Sequence, residues 1–176
     1  MKNYKTFWKS LFFATAILAF NACSDDDDNG GGGGSTPSGT YVKAKVDGTT
    51  YETYRIQGVS AATAISTGSG DSRLIMIGGS IDMNGTKAWS VNLLGINATG
   101  EYPLNADSNS TIAYVENGTG VSYDNSNCTG TDGTVKITKL TDTEVEGTFS
   151  LVGKNDEDCS MSKTITQGSF RGVFMN

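Results

Sequence analysis

Short alternating segments are the feature that most restricts what this chain can fold into. After residue 39, apolar and polar residues alternate in short runs rich in Val, Ile, Thr and Tyr. Gly, Asn or Asp interrupts these runs about every 8–12 residues, which is the spacing of antiparallel sandwiches and barrels. No stretch of residues 40–176 carries a convincing helical period. We therefore predict one all-β domain over 40–176, an antiparallel β-sandwich or partly closed barrel of about ten short strands.

The best-determined unit is a hairpin formed by Thr134–Leu140 and Glu144–Val152. With Asp142 at the centre of the turn, Val135 lies opposite Phe149 and Ile137 opposite Gly147. One register then places the apolar residues of both strands on the same face, and such agreement specifies a hairpin. The opposite, solvated face is predicted to carry Thr134, Lys136, Thr138, Glu144, Glu146 and Thr148.

Strands are predicted at both ends of the domain by the same alternation. Tyr41–Val46 is followed by Asp47-Gly48, a strong two-residue hairpin turn, and by a returning strand over Thr50–Ile56. The last strand, Ser162–Phe174, changes parity along its length. A bulge near Gly168 reconciles the two halves.

Three further segments place the centre and an edge of the sheet. Arg73–Ile81 is apolar on both faces, which predicts a central strand. Lys87–Leu94 alternates so that Trp89 faces the core rather than serving as a sugar-stacking platform. Gly100–Leu104 is predicted to be an edge strand because its proline cannot donate to a ladder.

Two cysteines lie just beyond the open end of the predicted hairpin. Extending its register places Cys128 opposite Asp156, three residues from Cys159. In a protein exported to an oxidising compartment such a pair normally forms a disulfide, and we predict a disulfide between these two cysteines. A metal site and a reactive thiol are the alternatives. A two-cysteine zinc site would also need histidine, and the chain contains none.

The first residues of the chain are typical of an export signal. Three lysines precede the apolar run Leu11–Phe20, which is shorter than the roughly 20 residues of a spanning helix. Ala22 then stands directly before Cys23. The order resembles a bacterial lipoprotein signal, with Phe20 at a place where Leu is usual. We predict a signal peptide over 1–22 and lipidation of Cys23, with an ordinary signal peptide as the alternative.

Residues 23–39 are predicted to be a disordered tether. Ser24–Asp28 is acidic, and Gly30–Gly34 is a run of glycines followed by Ser, Thr and Pro. Such a coil spans roughly 20–25 Å. The acidic run behind Cys23 also resembles the export signal that sends Bacteroidota lipoproteins to the outer face of the outer membrane. We therefore expect a lipid-anchored outer-membrane protein exposed at the cell surface, with the periplasmic face as the alternative.

Charge and composition exclude several classes of function. The net charge is −6, and basic patches that bind nucleic acid are missing from the sequence. Without histidine, the chain can form no Ser-His-Asp or Cys-His nucleophile system and no imidazole-ligated metal site. No phosphate-binding glycine motif is present. We expect no nucleic-acid partner, no cofactor, no metal and no enzymatic activity.

Three acidic segments are the remaining candidates for chemistry. Glu144 and Glu146 share a face and could act as a glycosidase pair, but Lys136 and Thr148 on that face favour a solvated charge pattern. Asp156-Glu157-Asp158 offers oxygen ligands for calcium without the spaced pattern of a calcium loop. The segment 124–127, Asp-Asn-Ser-Asn, is an equally weak candidate and more typical of a turn.

Five blocks of the domain form a pattern that looks familiar. They are Val46-Asp47-Gly48, Gly100-Glu101-Tyr102-Pro103-Leu104, Gly133–Lys139, Glu146-Gly147-Thr148-Phe149-Ser150 and Thr166-Gln167-Gly168-Ser169-Phe170. Together they resemble an uncharacterised lipoprotein domain family of the Bacteroidota, classed as a domain of unknown function. The resemblance implies an all-β fold and an envelope location, and it transfers no functional residue.

These observations leave two hypotheses for function. The first is a non-catalytic binding or adhesion module, anchored through its lipid, for a glycan, a peptide or a small ligand. The alternative is a structural or accessory subunit of an outer-membrane complex. A hollow apolar centre would favour a small ligand, whereas filled layers with a flat exposed face would favour a protein partner.

Overall fold

The computed structural model describes residues 39–175, and the strands account for most of them. Within that range there is no α-helix, and a short 3-10 turn covers Gly70–Ser72. The predicted all-β class is confirmed. The expected signal peptide, Cys23 and all but the last residue of the expected tether lie outside the described residues. The strands are β1 (Tyr41–Val46), β2 (Thr49–Glu52), β3 (Arg55–Ile56), β4 (Val59–Ser60), β5 (Thr63–Thr67), β6 (Leu74–Ser80), β7 (Ala88–Leu94), β8 (Gly100–Pro103), β9 (Thr111–Glu116), β10 (Val121–Asp124), β11 (Gly133–Leu140), β12 (Glu144–Asn155) and β13 (Ser162–Val173).

Eleven of the strands form one antiparallel sheet. Its main path is β2-β1-β13-β12-β10-β9-β7-β6-β5, while β3 and β4 pair with each other. The long strand β12 pairs with two different strands along its length, in addition to β13. Its residues 145–151 pair with β11, which also pairs with β8, and its residues 154–155 pair with β10. The sheet curls into a half-barrel, so the structure is the partly closed barrel of the two predicted alternatives.

A series of aromatic rings in contact runs through the centre of the curled sheet. The rings of Trp89 and Tyr114 have centroids 5.4 Å apart, and Trp89 meets Phe149 at 5.9 Å. Phe149 continues to Phe170 at 6.2 Å. Aliphatic side chains fill the space around these rings, so the interior is packed. The almost fully buried ones include Val42, Ile75, Ile77, Val91, Leu93, Leu104, Ile112, Val135, Ile137, Val145 and Ile165.

Two Gly-X-Phe sequences lock β12 to β13. Gly147 lies opposite Phe170, and Phe149 lies opposite Gly168, because the strands are antiparallel. Each ring covers the bare backbone of the facing glycine. A Cβ at Gly147 would lie 2.6 Å from the Phe170 ring, and one at Gly168 would lie 2.6 Å from the Phe149 ring. The pairs therefore fix the register of the two longest strands through packing.

The predicted β11–β12 hairpin is confirmed away from its turn, and the predicted register is wrong next to the turn. Val135 pairs with Phe149 and Ile137 with Gly147, as the alternation requires. Near the turn the register shifts by one, so that Lys139 pairs with Glu146 and Thr138 is the extra residue of a bulge. The sequence pattern does not predict this bulge, because Thr138 stays on the solvated face.

The first hairpin is confirmed only in part. Asp47 and Gly48 have φ angles of 49° and 86°, as the predicted two-residue turn requires. The predicted strand Thr50–Ile56 is wrong in its extent, because β2 ends at Glu52. Thr53 ends it: its hydroxyl accepts a hydrogen bond from the Val42 amide at 3.2 Å. The chain then forms the separate hairpin β3–β4.

The other strand predictions agree with the structure. β6 lies between β5 and β7, as a central strand does, and Trp89 of β7 is buried. β8 pairs with β11 along one side. In β13 the bulge falls at Gln167, whose φ is 52°, next to the predicted Gly168. It lets both Ile165 and Phe170 reach the core.

Candidate functional site

A groove lined by hydroxyl groups crosses the outer face of β8, β11, β12 and β13. It consists of two adjoining hollows of about 330 and 390 Å³, which share Thr134 and Ser150. We call it the hydroxyl groove. The first hollow is lined by Asp132, Gly133, Thr134, Ser150, Leu151, Val152, Thr164, Ile165 and Thr166. The second is lined by Glu101, Thr134, Lys136, Thr148, Phe149, Ser150, Gln167, Gly168 and Ser169.

Strand alternation explains why hydroxyl-bearing side chains line up along the groove. Thr134 lies opposite Ser150, and Lys136 lies opposite Thr148, which in turn lies opposite Ser169. Because these residues occupy successive outward positions of neighbouring strands, their side chains share one exposed surface. Their inward neighbours form the core. The same register that packs the interior therefore lines up hydroxyl groups on the outside.

Close strand contact and a bulge shape the two hollows. A Cβ at Gly133 would lie 2.5 Å from the Ser150 carbonyl oxygen, so a glycine is needed for β11 to lie this near β12. At Gln167 the bulge of β13 interrupts the regular succession of outward side chains. Bulges twist a strand locally and redirect its side chains.

The groove carries few charges. Lys136 is its cation, and Glu101 lies opposite Lys136 across the β8–β11 pair. Asp132 lines the other hollow. Apart from these three, the polar groups are hydroxyls, one amide and backbone atoms. Such a surface can donate and accept hydrogen bonds with a neutral polar ligand, and it offers no concentrated charge for a polyanion.

A family model for a domain of unknown function, DUF6252, matches residues 38–174. The chain belongs to the DUF6252 family. The predicted membership of a domain family without known function is confirmed at that level. No curated protein and no solved structure matches the chain. The match covers all thirteen strands, so the half-barrel and its hydroxyl groove both lie within the DUF6252 domain.

The two glutamates considered as a catalytic pair are held in an ion-pair network of the DUF6252 domain. Glu144 lies 2.5 Å from the Lys139 ammonium and 2.7 Å from Arg171. Glu146 lies 3.6 Å from Arg171. The hydrogen bond from Lys139, followed by that from Arg171, lowers the pKa of Glu144. A general acid needs a raised pKa, so this arrangement does not supply one.

The acidic segments considered for calcium act as loop caps in the DUF6252 domain. Asp156 accepts a hydrogen bond from the Ser122 amide at 3.1 Å. Asp158 accepts bonds from the Ser160 amide and hydroxyl, and these lower its pKa. Between residues 39 and 175, no group of three or more His, Cys, Asp or Glu is placed to hold a metal ion.

The segment 124–127 begins at the end of β10 and then turns, with Asp124 and Asn125 buried and Ser126 and Asn127 exposed. Asn125 is fully buried, and its Oδ1 accepts a bond from the Ile112 amide at 3.0 Å. Its Nδ2 donates to the carbonyl oxygens of Asn105 and Ser110 at 3.2 and 2.9 Å. Asp124 accepts two bonds from Ser126. This side-chain network ties the loop before β9 to the end of β10.

Cys128 and Cys159 form the predicted disulfide, with Cα atoms 5.7 Å apart. Cys128 is buried and its partner is exposed, so the bridge joins the domain interior to the acidic loop. Trp89 is 1 % exposed and its indole nitrogen donates to the Tyr51 carbonyl oxygen at 3.2 Å, so it offers no platform for a sugar. Burial raises the pKa of Tyr114, which lies beside it.

Alternation in the sequence predicts that Thr134, Lys136 and Thr148 are solvated, but it does not indicate a groove. The signal that could have found it is the run of Ser and Thr at alternate positions of three paired strands. Its outline depends on the bulge at Gln167 and on β8 joining β11, which alternation alone does not determine. In the same described part of the chain, no helix is long and apolar enough to cross a bilayer.

Proposed function

We propose that this protein is a lipid-anchored envelope protein whose hydroxyl groove binds a glycan. It is anchored through an acylated Cys23 in the outer membrane of a member of the Bacteroidota, facing the cell exterior. The sequence of residues 1–28 supports the anchor, since a charged head, a short apolar run, Ala22, Cys23 and an acidic run follow in that order.

The observation that carries the proposal is a packed interior beneath a hydroxyl-lined outer groove. The core is filled by Trp89, Tyr114, Phe149 and Phe170 together with aliphatic side chains, which argues against a small apolar ligand held inside. Outside, the two hollows are shallow and open, which suits an extended ligand that lies along the surface. Binding is therefore proposed at the surface.

The chemistry of the groove favours a neutral glycan. Sugar hydroxyls donate and accept hydrogen bonds, as do Thr134, Ser150 and Thr166 on the protein. Two hollows in a row suit two or more linked sugar units better than a single compact molecule. Because Lys136 faces Glu101, the groove offers an anionic polymer no basic stripe.

We propose binding without catalysis. The chain contains no histidine, and the glutamates at 144 and 146 are engaged by Lys139 and Arg171. The carboxylates of the groove, Glu101 and Asp132, line different hollows. No second carboxylate faces either of them across one described hollow, as the two-carboxylate mechanism of glycoside hydrolysis would need.

A glycan array with matched variants tests the proposal. The variant Thr134→Val with Ser150→Ala removes two hydroxyls from the centre of the groove and keeps strand-forming side chains. The control, Thr63→Val with Ser90→Ala, makes the same chemical change on the outer face of β5 and β7. We expect binding to be lost in the first variant and kept in the control. Equal binding by both variants, or no glycan bound at millimolar concentration, contradicts the proposal.

A protein partner is the second candidate, because the outer face is broad and the core beneath it is filled. The ion-pair network of Lys139, Glu144, Glu146 and Arg171 lies on that face and is available to a complementary surface. Pull-down from native membranes separates the two functions. A glycan-binding module is recovered alone, whereas a subunit of an outer-membrane complex brings down a stoichiometric partner.

The anchor and its location need separate measurements. Intact mass of the exported protein should show acyl chains on a mature chain that begins at Cys23, and substitution Cys23→Ala should abolish them. Protease treatment of whole cells should then remove the domain from the cell surface. A protein that carries no acyl mass contradicts the anchor, and one that is protected in intact cells belongs to the periplasmic face.

A further inference from the structure

The hairpin β3–β4 exposes two aliphatic side chains at its end. Ile56 and Val59 lie opposite each other and are 59 % and 71 % exposed. Gln57 and Gly58 form the tight turn between them, with φ angles of 50° and 84°. We call Ile56 and Val59 the apolar tip. Singly exposed aliphatic residues are ordinary, but an exposed pair beside a hairpin turn forms a small apolar contact surface.

The apolar tip lies beside the point where the chain enters the domain. Gly39 and Thr40 line the same hollow as Gly58 and Val59. Thr40 is held there, because its hydroxyl accepts a hydrogen bond from the Val173 amide at 3.0 Å. Val173 is itself exposed and lines that hollow, which extends the apolar surface toward β13. The segment before Gly39 therefore joins the domain next to the apolar tip.

The chain length before Gly39 makes a bilayer the fitting occupant. Cys23 lies sixteen residues before Gly39, and a Gly-rich coil of that length spans only about 20–25 Å. A lipid on Cys23 therefore keeps the entry point, and the tip beside it, close to the membrane surface. Short apolar hairpin tips can insert at the level of the headgroups, as amphipathic surface segments do.

Two cations and one carboxylate lie next to the tip. Arg55 is the cation of the hairpin, and its Nε donates to Glu52 at 3.2 Å. Lys43 lies 3.6 Å from the same carboxylate. Glu52 balances only one of the two cations, so insertion of the tip is driven mainly by its aliphatic side chains and gains a small contribution from acidic lipid headgroups.

We propose that the apolar tip of β3–β4 is a second membrane contact, inserted into the interface of the bilayer that holds Cys23. This inference rests on the proposed lipid anchor. A coil alone leaves the domain free to rotate, whereas a tip in the interface restricts the orientation in which the half-barrel faces the surroundings.

Fluorescence quenching by lipid tests this contact on the full lipidated protein. With Cys23 acylated and Cys128 bonded to Cys159, a cysteine introduced by substitution is the free thiol available for labelling. The variant Val59→Cys is labelled with bimane and placed in phosphatidylcholine vesicles with brominated acyl chains. The control, Thr148→Cys, carries the same label on the outer face of β12. Ile56→Cys gives a second, independent label at the tip.

We expect the labels at positions 56 and 59 to lose fluorescence in brominated vesicles and the label at 148 to keep it. Addition of acidic lipid should increase the quenching of the tip labels only slightly. If acyl mass is present but both tip labels stay as bright as the control, the contact is refuted and the anchor stands. If the labelled tip is not quenched and the unlabelled tip variants form disulfide-linked dimers on mild oxidation, the occupant is a second copy and the membrane contact is also refuted. A protein without acyl mass refutes the anchor, and the inference with it.

Discussion

Replacing Gly147 by alanine tests the packing that joins β12 to β13. A strand glycine normally costs about 0.5–1 kcal/mol relative to alanine, so strand preference alone predicts that Gly147→Ala stabilises the protein. The structure predicts the opposite sign. An added Cβ would lie 2.6 Å from the Lys136 carbonyl oxygen and 2.6 Å from the Phe170 ring.

The size of the effect follows from which of these atoms can move. The Phe170 ring is enclosed by Phe149 and the core, and the Lys136 oxygen belongs to the neighbouring strand. Neither contact is relieved by rotating an exposed side chain. Overpacking of this kind costs about 1–3 kcal/mol, so we expect a net loss of about 2 kcal/mol. For a domain of this size that lowers Tm by about 6–10 °C.

Urea unfolding followed by the fluorescence of buried Trp89 measures this loss. Gly118→Ala is the matched control, because its added Cβ would meet no atom within 4 Å and its φ is not positive. We expect the control to change stability by less than about 0.5 kcal/mol. A Gly147→Ala protein as stable as the parent would refute the claim that a ring covers this glycine. The double variant Gly147→Ala with Phe170→Leu should lose less stability than the sum of the two single losses, since the two changes share one contact.

Three further predictions concern the loops and the charges. Asn125→Ala leaves the Ile112 amide without its partner, so urea unfolding should show a loss of about 2–3 kcal/mol, whereas exposed Asn127→Ala should cost little. Reduction of Cys128–Cys159, which spans 31 residues, should cost roughly 4 kcal/mol by the chain-entropy model, and unchanged stability after reduction would contradict that value. The folded-state pKa of Glu144 is lowered, so its contribution to stability is present above its usual pKa of 4.5 and is lost as the pH falls through the lowered value. In the variant Glu144→Gln, Tm should therefore fall less on acidification than in the parent protein. An equal fall in both proteins would contradict the stabilisation of ionised Glu144 by Lys139.

Alternation was sufficient to predict the strands that have one buried and one solvated face. In β11 and β12 the position of Val135, Ile137 and Phe149 follows from the sequence, because any other register would expose them. The bulge of β13 was predictable for a similar reason, since Ile165 and Phe170 differ in parity and both are apolar. The disulfide followed from extending the same register.

Features that depend on contacts between distant segments were not predictable. β2 ends early because the Thr53 hydroxyl bonds to Val42, and nothing in the local pattern signals that bond. Asn125 was placed in a turn, but its full burial depends on the loop at 105–110 folding over it. The division of β12 between β11 and β10 also decides where the hydroxyl groove lies. It follows from how the whole sheet curls rather than from any one strand.

The central claim is that binding occurs in the hydroxyl groove, outside a filled half-barrel. Amide chemical-shift mapping of the labelled protein, titrated with the glycan selected on the array, tests it directly. We predict that the shifts concentrate on β8, β11, β12 and β13 around Thr134, Ser150 and Thr166, and that the Trp89 indole resonance stays fixed. Shifts centred on the core around Trp89, or on the outer face of β5 to β7, would contradict the claim.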